Sequence, residues 1–177
     1  MTDLHIITID LVFDISIYPE QMNNKIIDNI KQNIKKKYAK RCYNGMYIEE
    51  IYDIKKENIS QGYIDRLSSL GVSIHKVIAQ CKVISLLKDV EITGTIIGIN
   101  NMLIIAENGP IKFIISNNYI NNKNIIFKKS AYYPVINGTI SETPLCDGCK
   151  VVLQIIDKKI VNGSNMITAM ARLDRAV

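Results

Sequence analysis

The sequence predicts an α+β protein in which a helix laid on a small antiparallel sheet is followed by a five-stranded β-barrel. Three observations lead to this fold class. One long stretch, from Met22 to Tyr38, carries apolar residues at helical spacing. Most other apolar stretches are short, β-branched and alternating, as half-buried strands are. Turn dipeptides such as Asn-Gly separate several of them.

The first half of the chain predicts a strand, a long helix and two further strands. The first strand spans Leu4–Ile17 with a break near Asp10. Tyr18-Pro19-Glu20 then opens a helix of about five turns, because Pro suits the first helical turn and Glu suits the positive end of the helix dipole. The later elements are a turn at Asn44-Gly45 and strands at Met46–Ile54 and Ser73–Leu87.

The second half predicts three successive short strands and, after a long connection, two more. Gly94 and Gly98 weaken the first of these strands, which makes sense if that strand bends sharply inside a small closed barrel. This pattern is typical of a Greek-key barrel of the OB type, a fold that commonly binds nucleic acid. The predicted strands are Val90–Ile99, Met102–Glu107, Ile111–Ile115, Lys150–Asp157 and Asn165–Leu173, with turns at Asn100-Asn101, Asn108-Gly109 and Asn162-Gly163.

Composition narrows the class of protein. We expect two domains, residues 1–88 and 89–177, since each half can bury its own apolar face. The net charge of +5 suits an anionic partner. No apolar run is long enough for a membrane span, the N-terminus lacks a signal-peptide layout, and four cysteines are few for this length. These features favour an intracellular protein without a membrane partner.

Few residue patterns suggest catalysis. Cys146 and Cys149 form a C-x-x-C pair, but it precedes a predicted strand, whereas a redox motif opens a helix. A structural zinc ion needs four ligands, and neither the other two cysteines nor His5 and His75 show partner spacing. No nucleophile–base arrangement, carboxylate pair or phosphate-binding loop is found. We therefore expect no catalytic residue, no metal and no cofactor.

Five segments, in order along nearly the whole chain, resemble one protein family. They are an aromatic-Pro pair before the helix, a strand after a glycine, a G-x-[VI] barrel strand, a G-P…F-[VI]-S segment and a G-x-x-V-x-x-x-I strand. The chain resembles the larger stalk subunit of multisubunit DNA-directed RNA polymerases, the eukaryotic seventh-subunit or archaeal E-subunit family. The matching residues are Tyr18-Pro19, Gly45–Ile51, Gly94–Ile96, Gly109–Ser116 and Gly148–Ile155.

The resemblance implies a function in transcription. It implies an RNP-like N-terminal tip domain that docks on the polymerase core near the clamp, beside the largest subunit and a neighbouring small subunit. The barrel would then meet nascent RNA, and the subunit would have no catalytic centre of its own. The lean length and A/T-type composition resemble the version carried by a large cytoplasmic DNA virus. The expected location is then host cytoplasm or virion, or the nucleus for a cellular version.

Two sets of residues are candidates for these contacts. OB-type barrels grip single strands by stacking bases on aromatic rings while Lys and Arg follow the phosphates. Phe113 alternates with a lysine and is expected in the core. The candidate RNA-binding residues are Lys112, Lys123, Lys128, Lys129, Tyr132, Tyr133 and Lys150. The candidate core-docking residues, expected to cluster at one end of the sheet, are Tyr18, Pro19, Asn44, Gly45 and Tyr47.

Some alternatives stay open. The basic segment Lys35–Arg41 is either a solvated helix end matched to the dipole or a phosphate-facing patch. The chain as a whole is either a polymerase subunit, with or without a smaller stalk partner, or a free-standing OB/S1-type RNA-binding factor in translation or RNA processing. A small metal or thiol enzyme built on the C-x-x-C pair is the third hypothesis.

Overall fold

The computed structural model describes residues 4–64, 70–100, 102–128, 130–136 and 138–177. Over these residues the protein is mixed α+β, built mostly of strands with one α-helix, and one sheet closes into a five-stranded barrel. The α+β class and the barrel are thus confirmed. Two compact units are present: the N-terminal unit, Ile6–Ser85, and the barrel unit, Met1–His5 with Leu86–Val177.

The N-terminal unit contains one five-stranded sheet with the path β1-β5-β3-β2, and β4 pairs with β5 as well. Its elements are β1 (Ile6–Ile17), α1 (Ile26–Tyr38), β2 (Arg41–Tyr43), β3 (Met46–Ile51), β4 (Tyr63–Ile64) and β5 (Ser73–Ile84). β1 and β5 pair antiparallel over all 12 residues of each strand. The predicted break near Asp10 is wrong. Asp10 lies opposite Gln80 on the exposed face, where its charge stays hydrated without interrupting the strand.

The helix begins later than predicted. Pro19–Gln21 forms a single 3₁₀ turn, and α1 begins only at Ile26. Between them the side-chain oxygen of Asn23 accepts the backbone N–H of Lys25 at 2.9 Å. Asn side chains offer the backbone this local alternative to helical hydrogen bonds, so the chain leaves the helical path here. Pro19 does occupy a first helical turn, but it is the turn of the short 3₁₀ helix.

α1 contributes its apolar stripe to the buried cluster of the N-terminal unit. Ile30 and Ile34 are 1% and 0% exposed. Burying such a side chain stabilises the fold by about 1.5–3 kcal/mol. Tyr38 extends the stripe as predicted, with its ring centroid 4.7 Å from that of Phe13. The cluster also contains Leu11, Ile15, Ile17, Ile48, Ile51, Ile54, Val77, Ala79, Cys81 and Val83.

The predicted turn at Asn44-Gly45 is confirmed. Tyr43 of β2 lies opposite Met46 of β3, so Asn44 and Gly45 form the whole loop of the hairpin. Their φ angles are 49° for Asn44 and 77° for Gly45. Two positive φ values in a two-residue loop define the type I′ turn, whose twist matches that of paired strands.

The barrel unit contains the closed barrel and a second, three-stranded sheet. Its strands are β6 (Glu91–Ile99), β7 (Leu103–Asn108), β8 (Ile111–Ser116), β9 (Ile125–Lys128), β10 (Ala131–Ile136), β11 (Thr139–Ile140), β12 (Lys150–Lys159) and β13 (Ile167–Ala176). The barrel order is β12-β13-β8-β7-β6, closed by β12 against β6. All its pairs are antiparallel except β8–β13. This order is OB-like.

The β7–β8 turn differs from the prediction by one residue. Asn108 pairs with Ile111 in the ladder, so the loop is Gly109-Pro110 rather than Asn108-Gly109. Gly109 has a φ of 56°. A glycine in the first position of a two-residue loop is typical of the type II′ hairpin turn, and Pro suits the second position because its φ is negative. Gly109 therefore supplies the positive φ that the turn needs, as predicted, although the turn lies one residue later than predicted.

The other predicted barrel turns are found in part. The side-chain oxygen of Asn100 accepts the backbone N–H of Leu103 at 2.7 Å, whereas Asn101 lies outside the described residues. Gly163 has a φ of 84° in the loop between β12 and β13. The segment before Lys150 holds more structure than predicted, because β9, β10 and β11 form the order β11-β10-β9 there.

The two glycines of β6 have different structural roles. The register of β6 against β7 shifts between Ile96 and Gly98, so the strand carries a β-bulge, which bends it as predicted. Gly94 instead lies against the barrel core. A Cβ atom added there would lie 2.9 Å from Leu153 Cδ1 and 3.4 Å from Ala106 Cβ. At Gly98 such an atom would meet nothing within 4 Å.

This contrast predicts opposite outcomes for two alanine substitutions in one strand. Gly94→Ala should destabilise the protein by about 1–3 kcal/mol, because overpacked cores must shift side chains or backbone. Gly98→Ala, the matched control, should change the free energy of unfolding by less than about 0.5 kcal/mol. Urea unfolding followed by circular dichroism measures both. Equal effects of the two substitutions would contradict this account of the barrel interior.

Candidate functional site

The sheet β9–β10–β11 is an insertion between barrel strands β8 and β12, and hydrogen bonds fix it to the barrel. The backbone N–H of Asn121 donates to the carbonyl of Leu173 at 2.9 Å, and its side-chain amide donates to Asp174 Oδ1 at 2.9 Å. The backbone N–H of Leu145 donates to the carbonyl of Tyr132 at 2.7 Å. The insertion is therefore held as part of the barrel unit and presents a defined surface.

Tyr132, a predicted RNA-facing residue, is buried in this insertion. Its side chain is 4% exposed, and its hydroxyl donates a hydrogen bond to Asn117 Oδ1 at 2.6 Å. Burial raises the pKa of the phenol above its usual value. Its ring centroid lies 4.8 Å from that of Phe127. A ring enclosed in this way has no free face for a base, so Tyr132 acts as a packing residue, in contrast to the expectation.

Phe127 is an aromatic residue that sequence reasoning missed. It lies opposite Tyr132 on β9 and is 54% exposed. The exposed Lys128 follows it, and Tyr133 on β10 is half-buried. The pattern Phe-Lys-Lys could have indicated this ring, since it places an aromatic beside two cations. Lys123, in the turn before β9, is exposed.

One further predicted RNA-binding residue, Lys129, lies outside the described residues.

Lys112 and Lys150 lie on a different surface, the outside of the barrel, within one continuous register row. The row also contains Glu107, directly opposite Lys112, and an exposed lysine that sequence reasoning missed, Lys159. The row starts and ends on β12, at two different residues. It therefore runs once around the barrel, as the staggered register of a closed barrel requires. Adjacent members lie about 4.8 Å apart across the strands. In order the row is Lys150, Thr95, Glu107, Lys112, Thr168 and Lys159.

The outer face of β7 and β8 carries aliphatic side chains beside the polar Glu107, Lys112 and Ser116. OB-type barrels bind oligonucleotides on the corresponding second and third strands. Here that face carries Leu103, Ile105 and Ile114, while Phe113 points inward and is 0% exposed, as predicted. No aromatic residue of these two strands is available for stacking. Among the described residues of this unit, the exposed aromatic ring that could stack on a base is therefore Phe127, on the insertion.

The N-terminal unit has a basic groove of about 500 Å³. Tyr18, 50% exposed, lies in it together with Lys36, Lys37 and Arg41, all exposed. Among the described residues that line the groove the charged ones are all cations, which favours a positive potential there. The remaining lining residues are Ile15, Ser16, Gln21 and Asn33, of which Gln21 and Asn33 exchange side-chain amide hydrogen bonds of 3.1 and 3.4 Å.

The predicted docking residues are not gathered at one end of the sheet. Tyr18 and Pro19 follow the last residue of β1 and are exposed. Tyr47 pairs with Ile84, which pairs with Ile6 at the other end of β1, and Tyr47 is only 6% exposed. Asn44 and Gly45 are exposed in the turn that precedes β3. The sequence suggested one cluster because it could not show the register of β3 against β5, which places Tyr47 opposite Ile84.

His75, one of the two histidines, is a satisfied buried residue. Its Nδ1 lies 3.1 Å from the carbonyl of Ser60, and its Nε2 lies 3.2 Å from Ser73 Oγ. Gly62 covers the imidazole, since a Cβ atom there would lie 2.5 Å from the ring. Within the described ranges no group of three or more His, Cys, Asp or Glu side chains could hold a metal ion. The Cys146 and Cys149 sulfur atoms lie 3.2 Å apart.

Comparisons with known proteins found no protein-family model and no curated protein that matches this chain. Among the described residues, no helix has the length and apolar character needed to cross a membrane.

Two aromatic substitutions test the assignment of the insertion residues. Tyr132→Ala should lower the free energy of unfolding by about 3–5 kcal/mol, because it removes a buried ring and leaves a cavity. Phe127→Ala, on the partner position of the same hairpin, should cost about 1 kcal/mol or less, since the ring is half in water already. Urea midpoints give both values. A small effect of Tyr132→Ala would show that its ring is not packed as described.

Proposed function

We propose that the protein is a non-catalytic stalk subunit of a DNA-directed RNA polymerase, which docks on the core near the clamp and contacts nascent RNA. One observation carries the proposal. A unit of strand, helix, hairpin and strand precedes an OB-like barrel along the chain, which is the order that the sequence resemblance implies. The barrel supports nucleic-acid binding, and the order of the two units supports the polymerase family over other barrel proteins.

The proposed docking surface of the N-terminal unit, an RNP-like tip with its helix on the sheet, is the basic groove. Tyr18 offers a half-exposed ring beside three cations, and Tyr and Arg are enriched at protein–protein contacts. A groove whose described charged residues are all cations suits an acidic segment of a partner. That partner would be the largest subunit or the small subunit beside it. A smaller stalk subunit is a further candidate.

The proposed RNA contact lies on the barrel unit. Lys123 and Lys128 on the insertion would follow phosphates, with Phe127 as the stacking ring, and Lys112 and Lys150 would add charge from the register row. Lys129 and Tyr133 belong to the same group by sequence. Glu107 opposite Lys112 lowers the local positive potential. We therefore expect weak, sequence-tolerant binding that depends on phosphates.

A free-standing OB/S1-type RNA-binding factor is the second candidate function. The OB-like barrel with exposed lysines supports it equally, because neither feature requires a polymerase. A protein-docking role of the groove in the N-terminal unit would support the first candidate, since a free-standing factor needs no protein-docking surface. The two candidate functions therefore differ in whether the chain binds other protein subunits.

Purification from the native source decides between the two candidates. A tagged full-length chain should co-purify with the large subunits of an RNA polymerase and elute far above its own mass of 20.0 kDa. Elution as a free chain, with RNA but without polymerase subunits, would support the second candidate and contradict the first.

The docking groove makes a sharper prediction. Tyr18→Ala should weaken association with the polymerase by about 1–2 kcal/mol or more, the loss typical of a central interface tyrosine. Tyr63→Ala is the matched control, because Tyr63 lies in the same unit, is 55% exposed and does not line the groove. Co-purification yield and a binding titration with the isolated core measure both. Equal yields for the two variants would show that docking does not use the groove.

The RNA contact makes a prediction about salt. For single strands the logarithm of the binding constant falls with the logarithm of salt concentration by about 0.7 for each phosphate neutralised. Lys128→Ala should therefore reduce that slope by about 0.7. Lys88→Ala should leave it unchanged, because Lys88 already pairs with Asp157 at 2.8 Å in the same unit. Fluorescence anisotropy with a labelled RNA measures the slopes, and salt-independent binding would contradict the proposal.

A further inference from the structure

The segment Cys146–Cys149 forms a tight, hydrogen-bonded turn at the start of β12. The backbone N–H of Cys149 donates to the carbonyl of Cys146 at 3.1 Å, which closes the four-residue turn. Gly148, its third residue, has a φ of 88°. A positive φ at the third position is the feature of a type II turn, where glycine is strongly preferred. The C-x-x-C spacing thus coincides with the two ends of one turn.

The turn is held in place by the barrel. The backbone N–H of Gly148 donates to the carbonyl of Ile96 at 2.8 Å, and the N–H of Ile96 donates to the carbonyl of Cys149 at 2.9 Å. Ile96 lies beside the bulge of β6, inside the closed sheet. The positions of the two cysteines are therefore fixed by the fold rather than by a mobile loop.

The two thiols are close, free and accessible. Their sulfur atoms lie 3.2 Å apart, Cys146 is exposed, and Cys149 is partly exposed. Closed turns hold their end Cα atoms within about 7 Å, which overlaps the range of about 4.4–6.8 Å found in disulfides. A bond of about 2.05 Å then requires side-chain rotation, without a change of backbone path.

We propose that Cys146 and Cys149 form a reversible intrachain disulfide by exchange with a small-molecule disulfide of the glutathione class. This modification site is independent of the polymerase proposal. It is also distinct from a catalytic redox motif, because the pair lies in a β-turn before a strand and not at a helix N-terminus.

The geometry assigns the two sulfurs different roles. The backbone N–H of Cys146 donates to Cys149 Sγ at 3.4 Å, which favours negative charge on that sulfur. The pKa of Cys146 is raised, first by its side-chain hydrogen bond to Cys149, then by the charges of Cys149 and Asp147 and by desolvation. From this hydrogen bond we assign Cys149 as the attacking sulfur and Cys146 as the thiol that resolves the intermediate.

The reaction balances in two exchange steps. The Cys149 thiolate attacks one sulfur of the oxidised glutathione and releases one glutathione thiolate, leaving a mixed disulfide. Cys146 then loses its proton to solvent, attacks Cys149 Sγ and releases the second glutathione thiolate. The protein dithiol is oxidised by two electrons, and one glutathione disulfide is reduced to two thiols.

The other two cysteines are internal controls. Cys42 and Cys81 are 1% and 0% exposed. Burial raises the pKa of both thiols, that of Cys81 to about 11. Buried thiols with raised pKa values react slowly. Neither should exchange with glutathione while the protein is folded.

The experiment is equilibration of the folded full-length chain with glutathione buffers, followed by acid quenching, unfolding, alkylation and peptide mass spectrometry. Cys146 and Cys149 should lose alkylation together, joined in one peptide, while Cys42 and Cys81 remain alkylated. At a fixed glutathione ratio the oxidised fraction relative to the reduced fraction should be about tenfold higher for the folded chain than in concentrated urea, because the turn is preorganised.

Substitutions keep the test specific. Cys146→Ser should trap one glutathione on Cys149, since the resolving thiol is gone. Gly148→Ala should lower the disulfide equilibrium several-fold by straining the turn, whereas Gly163→Ala, with a similar φ of 84° in another turn, should not change it. The proposal would be overturned if Cys146 and Cys149 stayed reduced in every buffer or if disulfides formed only between chains. It would also be overturned if the folded chain and the chain in urea were oxidised to the same extent.

Discussion

The barrel is organised around one large ring, that of Phe113. Its cross-strand neighbours are small, because Ala106 lies opposite it on β7 and Ala169 lies opposite it on β13. Gly94 of β6 completes the surroundings, since a Cβ atom there would lie 3.5 Å from the ring. Protein interiors are packed as densely as organic crystals, so one large side chain demands small ones around it. The parallel β8–β13 pair contains one side of this fit, where Ala169 lies opposite Phe113.

Closure then decides which residues can reach a ligand. In a small barrel every second residue fills the interior, so its neighbours along the strand face outward. Phe113 inside places Lys112 outside, and the same alternation brings Lys112 into register with residues of β6, β7, β12 and β13. The row that results carries three lysines and one glutamate. Packing therefore determines where these charges lie on the surface.

The sequence predicted those features that depend on near neighbours. Alternation located the five barrel strands, and Asn44-Gly45 located a hairpin, because both patterns act over a few residues. The same local reasoning failed where distant contacts decide. Asp10 looked like a strand break until β5 supplied a partner along the whole of β1.

Tyr132 shows the same limit at the candidate site. Its neighbours in sequence, Ala131 and Tyr133, do not indicate that a side chain 15 positions earlier, Asn117, would bind its hydroxyl. The prediction of where α1 starts was wrong for a different reason, because the Asn23 side chain competes with the helical hydrogen bonds. Phe127 was missed because its exposure depends on the pairing of β9 with β10.

The distribution of rings and charges limits what the barrel unit can recognise. Base stacking contributes about 1–3 kcal/mol for each ring, and the described strand faces offer Phe127 as the well-exposed one on this unit. Hydrogen-bond readout of base edges needs side chains such as Asn, Gln or Arg beside the stacked base. Asn117 and Asn122 line a pocket together with Phe127, whereas the outer face of β7 and β8 offers Lys112 beside aliphatic side chains. Under the proposed function, phosphate contacts would therefore supply affinity for RNA without sequence information.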